Sequence, residues 1–115
     1  MAPWVYDPQS GGQKIPPRLY EAIGKQAEAF SDAHAWDAQL RLVLRFKSQF
    51  CYVDTIREGD ERQFPLCRLR HFKPDSWSLA LFTYSNERYS PCVLSNGQWT
   101  GTFEEALEVC VPFIF

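Results

Sequence analysis

From Leu40 to Lys47 the chain alternates strictly. Leu40, Leu42, Leu44 and Phe46 fall on one side, and Arg41, Val43, Arg45 and Lys47 on the other. Period two is the pattern of a strand whose two faces meet different surroundings. Ser48-Gln49 reads as a two-residue turn, after which Phe50–Arg57 returns with Phe50, Tyr52, Asp54 and Ile56 on the arginine side. A polar loop over residues 58–63 leads to a third strand over 64–72. Pro74-Asp75 then turns the chain into a fourth strand over 77–84. Residues 85–91 read as a loop. Two short strands follow, 92–94 and 98–100, joined by Asn96-Gly97, which is a type I′ turn signal.

Helical spacing appears at both ends. Pro16 and Pro17 open a helix, where proline loses no needed N–H, and its stripe is Leu19, Tyr20, Ile23, Ala27 and Phe30, ending near His34. Gly24 inside it costs about 1 kcal/mol relative to alanine. Thr102 and Glu105 form a capping box that starts a second helix, with Phe103, Ala106, Leu107, Cys110 and Val111 on its apolar side and Pro112 at its end. The expected fold is α+β, an antiparallel β-meander of about five or six strands flanked by an N-terminal and a C-terminal helix. Residues 1–14, with Pro3, Pro8, Gly11 and Gly12, read as a flexible arm carrying Trp4, Val5 and Tyr6. Residues 15–115 read as a single domain, a length that supports one core and not two.

Register then sorts the side chains. Pairing Phe72 with Trp77 across the Pro74-Asp75 turn sets Arg70 opposite Leu79 and Arg68 opposite Leu81. On that register Arg45, Tyr52, Asp54, Arg68, Arg70 and Trp77 share one face. Leu40, Leu42, Leu44, Phe46, Cys51, Val53, Cys67, Leu69, Ala80 and Phe82 make the seat of the first helix, and His71 falls on that side too. A sheet needs only one apolar face, so a second one mixing Arg, Tyr and Trp is a contact surface. Three occupants fit it: the C-terminal helix or the arm, a second copy of the chain, or a ligand or macromolecule. Paired arginines suit a carboxylate or phosphate and rings suit a planar group, so an anionic or aromatic small ligand belongs among them. The stretch from Tyr84 to Cys92 concentrates polar groups, and Tyr84, Glu87 and Arg88 join the partner-binding candidates as a pocket lip.

Composition narrows the classes. Hydrophobic content of 45% and aromatic content of 16% exclude a disordered chain. The net charge of −2 provides no global field for nucleic acid, which is disfavoured as a partner. Charge is nonetheless uneven, with eight basic against four acidic residues between Arg41 and Lys73. No apolar run reaches the roughly 20 residues of a membrane span, and the N-terminus lacks a secretory pattern, so the expectation is a cytoplasmic protein with no membrane contact. Cys51, Cys67, Cys92 and Cys110 contain no C-x-x-C pair, and buried reduced thiols are expected rather than a metal site. No H-E-x-x-H, G-x-S-x-G, P-loop or G-x-G-x-x-G occurs, so no catalytic residue and no cofactor are assigned.

Three stretches, residues 45–54, 66–70 and 83–92, together with the closing Gly101-Thr102-Phe103-Glu104-Glu105-Ala106, resemble a group of small uncharacterised bacterial proteins of about this length. The resemblance spans most of the chain after Ile15 and implies a bacterial, cytoplasmic, single-domain protein without specifying an activity. The functional expectation is a non-enzymatic binding or assembly module working through the Arg/aromatic face as a homodimer. The alternative is a small-molecule binder or small enzyme with a pocket between the sheet and the 85–92 loop.

Overall fold

Lys47 pairs with Phe50, so Ser48-Gln49 is the two-residue turn of the first hairpin, with Ser48 at φ 56°. The structure, a computed structural model, describes residues 10–34, 40–60 and 62–114. A single 3-10 turn, Pro17–Leu19, leads into α1, Tyr20–His34. The strands are β1 Leu40–Lys47, β2 Phe50–Arg57, β3 Gln63–Lys73, β4 Ser76–Thr83, β5 Arg88–Cys92 and β6 Thr100–Gly101. The last helix, α2, spans Phe103–Cys110, and a 3-10 turn, Val111–Phe113, follows it where Pro112 bars further α-helix. The fold is α+β, with an antiparallel sheet in the order β1-β2-β3-β4-β5 and β6 paired to β4.

Both helices lie on the same face of the sheet. Ile23, Ala27 and Phe30 of α1 join Phe103, Ala106, Leu107 and Cys110 of α2 in one core with Cys51, Val53, Cys67, Leu69, Trp77 and Leu79. Tyr20 stacks on Phe46 at 4.1 Å between ring centroids, and Phe103 meets Trp77 edge-on at 5.5 Å. The expected capping box holds α2 in place. Glu105 N–H donates to Thr102 Oγ1 at 3.1 Å, and Thr102 N–H donates to Glu105 Oε1 at 2.8 Å. The C-terminal helix therefore does not cover the Arg/aromatic face, one of the three occupants expected for it.

Two bulges set the register. Val53 faces Cys67 but Asp54 faces Pro65, which leaves Leu66 as an extra residue, and Leu66 and Cys67 are both buried. In β3–β4 His71 faces Trp77 while Lys73 faces Ser76, so Phe72 is the extra residue and Pro74-Asp75 is the tight turn, with Asp75 at φ 58°. This corrects the expected Phe72–Trp77 pair. A one-residue slip moves every side chain of a strand to the other face. Trp77, Leu79 and Leu81 therefore join the helix-covered side, whereas Ser78, Ala80 and Phe82 stand beside Arg68 and Arg70.

The chain end of the sheet also differs from expectation. Gly97 sits at φ 80° but Asn96 does not have positive φ, which excludes the type I′ turn. Instead Gly97 N–H donates to Leu94 O at 2.9 Å, and the Asn96 side chain receives Gln98 N–H at 2.8 Å. β5 and β6 do not pair with each other; both add to β4, with β5 along Leu79–Thr83 and β6 at Trp77 and Ser78. Of the expected arm, residues 1–9, including Trp4, Val5 and Tyr6, lie outside the described residues. Gln13 N–H donates to His71 O at 2.7 Å, and Ile15, fully buried, donates to Ser48 O at 2.9 Å.

Candidate interaction face

Out-facing positions of β1 to β5 build the site. Antiparallel pairing sets Arg45 beside Tyr52, Tyr52 beside Arg68 and Arg68 beside Ala80; the next row runs Lys47, Phe50, Arg70, Ser78. Diagonal neighbours then meet. Arg45 donates through Nε to Asp54 Oδ2 at 2.9 Å, and its guanidinium lies 4.9 Å from the Tyr52 ring centroid. Arg68 lies 4.6 Å from the Phe50 centroid and 5.2 Å from that of Tyr89, and Arg70 lies 4.7 Å from Phe50. Arg70 also donates to Gly11 O at 2.7 Å, which brings the incoming chain to the rim of this face.

The rings form a continuous chain across the sheet. Phe50 to Tyr52 is 6.0 Å, Tyr52 to Tyr89 5.6 Å, Tyr89 to Phe82 5.1 Å and Phe82 to Tyr84 4.9 Å, the last three edge-on. Ser78 and Ala80, the small out-facing residues of β4, are buried between the longer side chains. Burial and the charge of Asp54 both push the Tyr89 and Tyr84 phenols up. The Asp54 hydrogen bond raises Arg45 above its ordinary range although burial opposes it.

The face thus brings together Arg45, Tyr52, Asp54, Arg68 and Arg70, and excludes Trp77. Trp77 is 3% exposed and packs against His71 and Phe103 on the opposite side, because of the bulge at Phe72. Tyr84 ends the ring chain and donates to Pro65 O at 2.7 Å. Glu87 and Arg88 are exposed in and after the β4–β5 turn, where Glu87 adopts φ 52° and Arg88 O accepts from Thr83 Oγ1. Phe82, expected on the helix-covered side, and Tyr89 are the members that sequence reasoning missed, whereas Phe50 was placed on the arginine side without being named as a site residue. Phe50 already carried the signal, since its alternation places it beside Arg45 and Tyr52.

Among the described residues, the thiols of Cys51, Cys67 and Cys92 are all shifted away from ionisation. Burial pushes the Cys51 thiol up to about 12, and burial plus the neighbouring Cys110 pushes Cys67 far up, which leaves both protonated. The Cys92 thiol is also raised, chiefly by burial. His71 lies 3% exposed on the helix side, its Nδ1–H donating to Gln13 O at 3.1 Å. Among the described residues no group of three or more His, Cys, Asp or Glu is placed to hold a metal ion. No helix among them is long and apolar enough to cross a membrane. No known protein family, curated protein or solved structure significantly matches this chain.

Proposed function

We propose that the protein is a non-enzymatic binding module that holds an acidic, extended polypeptide segment on its Arg/aromatic face. One observation carries this reading. With both helices packed on the other side, the face presents, among the described residues, four cations with accessible side chains, Arg41, Arg45, Lys47 and Arg68, against one carboxylate, the buried Asp54. Arg70 is buried at the rim under Gly11. Guanidiniums stacked on rings keep their in-plane N–H groups directed sideways, the geometry that meets a carboxylate with two donors. The same stacking occupies the faces of Phe50, Tyr52 and Tyr89, which disfavours the base stacking that single-stranded nucleic acid needs.

The most exposed of these cations, Arg41, Arg45 and Lys47, stand on β1, the edge strand of the sheet. An edge strand accepts an added strand through its outer N–H and C=O groups. Between α1 and β1 runs a groove of about 650 Å³ lined by Leu42, Leu44, Phe46, Gly24 and Ala27. An extended segment alternating acidic and apolar residues satisfies both sides of β1 at once. A second copy is the competing occupant, and the like charge of two such faces opposes it. Amide hydrogen exchange tests the reading: a (Glu-Val)-repeat peptide should slow exchange along β1 and leave β5 and β6 unchanged. Unchanged β1 amides, or a native mass of two chains that Arg68→Glu halves, would overturn it.

A further inference from the structure

At the opposite end of the sheet from the β1–β2 turn, β3 and β4 part company. Their pairing stops at Cys67 and Leu81, although β3 extends back to Gln63 and β4 forward to Thr83. Pro65 lacks the N–H that would continue a ladder, and the Leu66 bulge bends β3 at the same place. The gap holds a cavity of about 330 Å³. Rings dominate its wall: Phe82 and the exposed Phe64, Tyr84 and Phe113, with Leu66 and Leu81 adding aliphatic surface. The polar side chains of the lining, Thr55, Arg57, Asp60 and Tyr84, all have partners within the chain. Tyr84 donates to Pro65 O at 2.7 Å across the opening, and Thr55 Oγ1 donates to Phe64 O at 3.5 Å. Asp60 accepts from Arg62 Nε and Nη2 at 3.2 Å each and from the Arg62 backbone N–H at 3.1 Å. Arg62 above all, and Arg57 more weakly, hold the Asp60 carboxyl below the usual carboxylate range. Arg57 is itself engaged within the chain.

We propose that this cavity binds an uncharged aromatic molecule of about two fused rings. Volume sets the size: an apolar cavity of about 150 Å³ takes up benzene, so roughly twice that volume suits a fused pair of rings. The wall sets the class of body, because Phe64, Phe82, Tyr84 and Phe113 offer ring edges and faces to another ring. Exposed aromatics gathered round one cavity mark a binding site, unlike apolar side chains scattered singly over a surface. Charge sets what the ligand lacks. The lining holds one cation, Arg57, and one carboxylate, Asp60, so it sums to zero, and both are already engaged. A charged ligand would give up its hydration there with no group left to replace it. An uncharged ring system gives up none and gains the ring contacts. The site is separate from the cations of β1 and from the stacked pair of Arg68 and Phe50.

A titration followed by amide NMR shifts, with naphthalene beside naphthalene-2-carboxylate and naphthalen-2-ylmethylammonium, tests this. Naphthalene should bind saturably and shift the amides of Phe64, Leu66 and residues 81–84, while those of residues 22–28 in α1 stay in place. The carboxylate and the ammonium should each bind at least about tenfold more weakly, since neither charge finds a partner. Phe113→Ala and Phe64→Ala, both at exposed wall positions, should each weaken naphthalene severalfold, and Arg41→Gln should leave it unchanged. No saturable binding, shifts confined to other parts of the molecule, a charged derivative that binds as tightly as naphthalene, or indifference to both Phe substitutions would overturn the proposal. Capture of an acidic peptide at β1 is independent of these outcomes, because Arg41 and Lys47 lie outside the cavity.

Discussion

Arg45 closes on Asp54 across the first hairpin, with Nε 2.9 Å from one carboxylate oxygen and Nη2 3.3 Å from the other. The pair is asymmetric: the Arg45 side chain is 52% exposed and that of Asp54 only 5%. Solvent screens the arginine, so the attraction itself adds little. What the contact does is satisfy a buried carboxylate, whose unpartnered desolvation is the larger quantity. Arg45→Gln should therefore lower stability by about 1–3 kcal/mol in urea denaturation. Adding Asp54→Asn to it should recover most of that loss, because the buried charge is then gone.

Trp77 supplies a second expectation with the opposite distribution of effects. It fills the junction of β4 with α2, in edge-on contact with Phe103. Trp77→Ala should cost about 3–5 kcal/mol of stability, as core truncations of this size do. Peptide affinity per folded molecule should not change, since the residue faces away from the arginines. A loss of binding without a loss of stability would place Trp77 on the wrong side of the sheet.

Alkaline pH should destabilise the fold through its buried thiols. Cys51 is raised from 9.0 to about 12 in the folded chain, so folded and unfolded states bind the proton equally below about pH 9. Above that pH the unfolded chain ionises first, and stability is lost as pH rises toward 12, by at most about 1.4 kcal/mol per pH unit for each such thiol. Cys51→Ala should make the fall between about pH 9 and pH 12 shallower than in the parent, with urea midpoints as the readout.

Gly12 adopts φ 101°, and a Cβ there would lie 2.9 Å from His71 O and 3.0 Å from Arg70 Cγ. Gly12→Ala should cost about 1–3 kcal/mol through backbone strain and crowding. The amide of Gln13, which donates to His71 O, should exchange faster, and amides of β2 should not.

Much of this architecture was legible because local rules and the global fold agree. The alternation of residues 40–47, the tight turn before Phe50 and the Thr102/Glu105 box each specified their element without outside help. The bulges were not legible. Nothing in the alternation around Phe72 or Leu66 marks which residue the ladder skips, since a bulge is decided by how the strand bends against its neighbours. That single residue at Phe72 moved Trp77 out of the predicted site and brought Phe82 in. Tyr89 was hidden differently: it reads as loop in a Ser-, Asn- and Pro-rich stretch, and only pairing with Phe82 makes it a strand position. The 330 Å³ cavity has no sequence signal beyond Pro65, because it arises where two strands diverge.

The most direct test of the central claim is a fluorescence-anisotropy titration of a labelled (Glu-Val)-repeat peptide beside its (Gln-Val) counterpart. The account predicts that the acidic peptide binds at least about tenfold more tightly, as charge-assisted pairs require. Binding should weaken from about 0.05 to about 0.3 M salt as screening shortens the reach of the β1 cations. Arg41→Gln and Lys47→Gln should each weaken it severalfold. Equal affinity for the two peptides, or a titration that neither substitution alters, would contradict it.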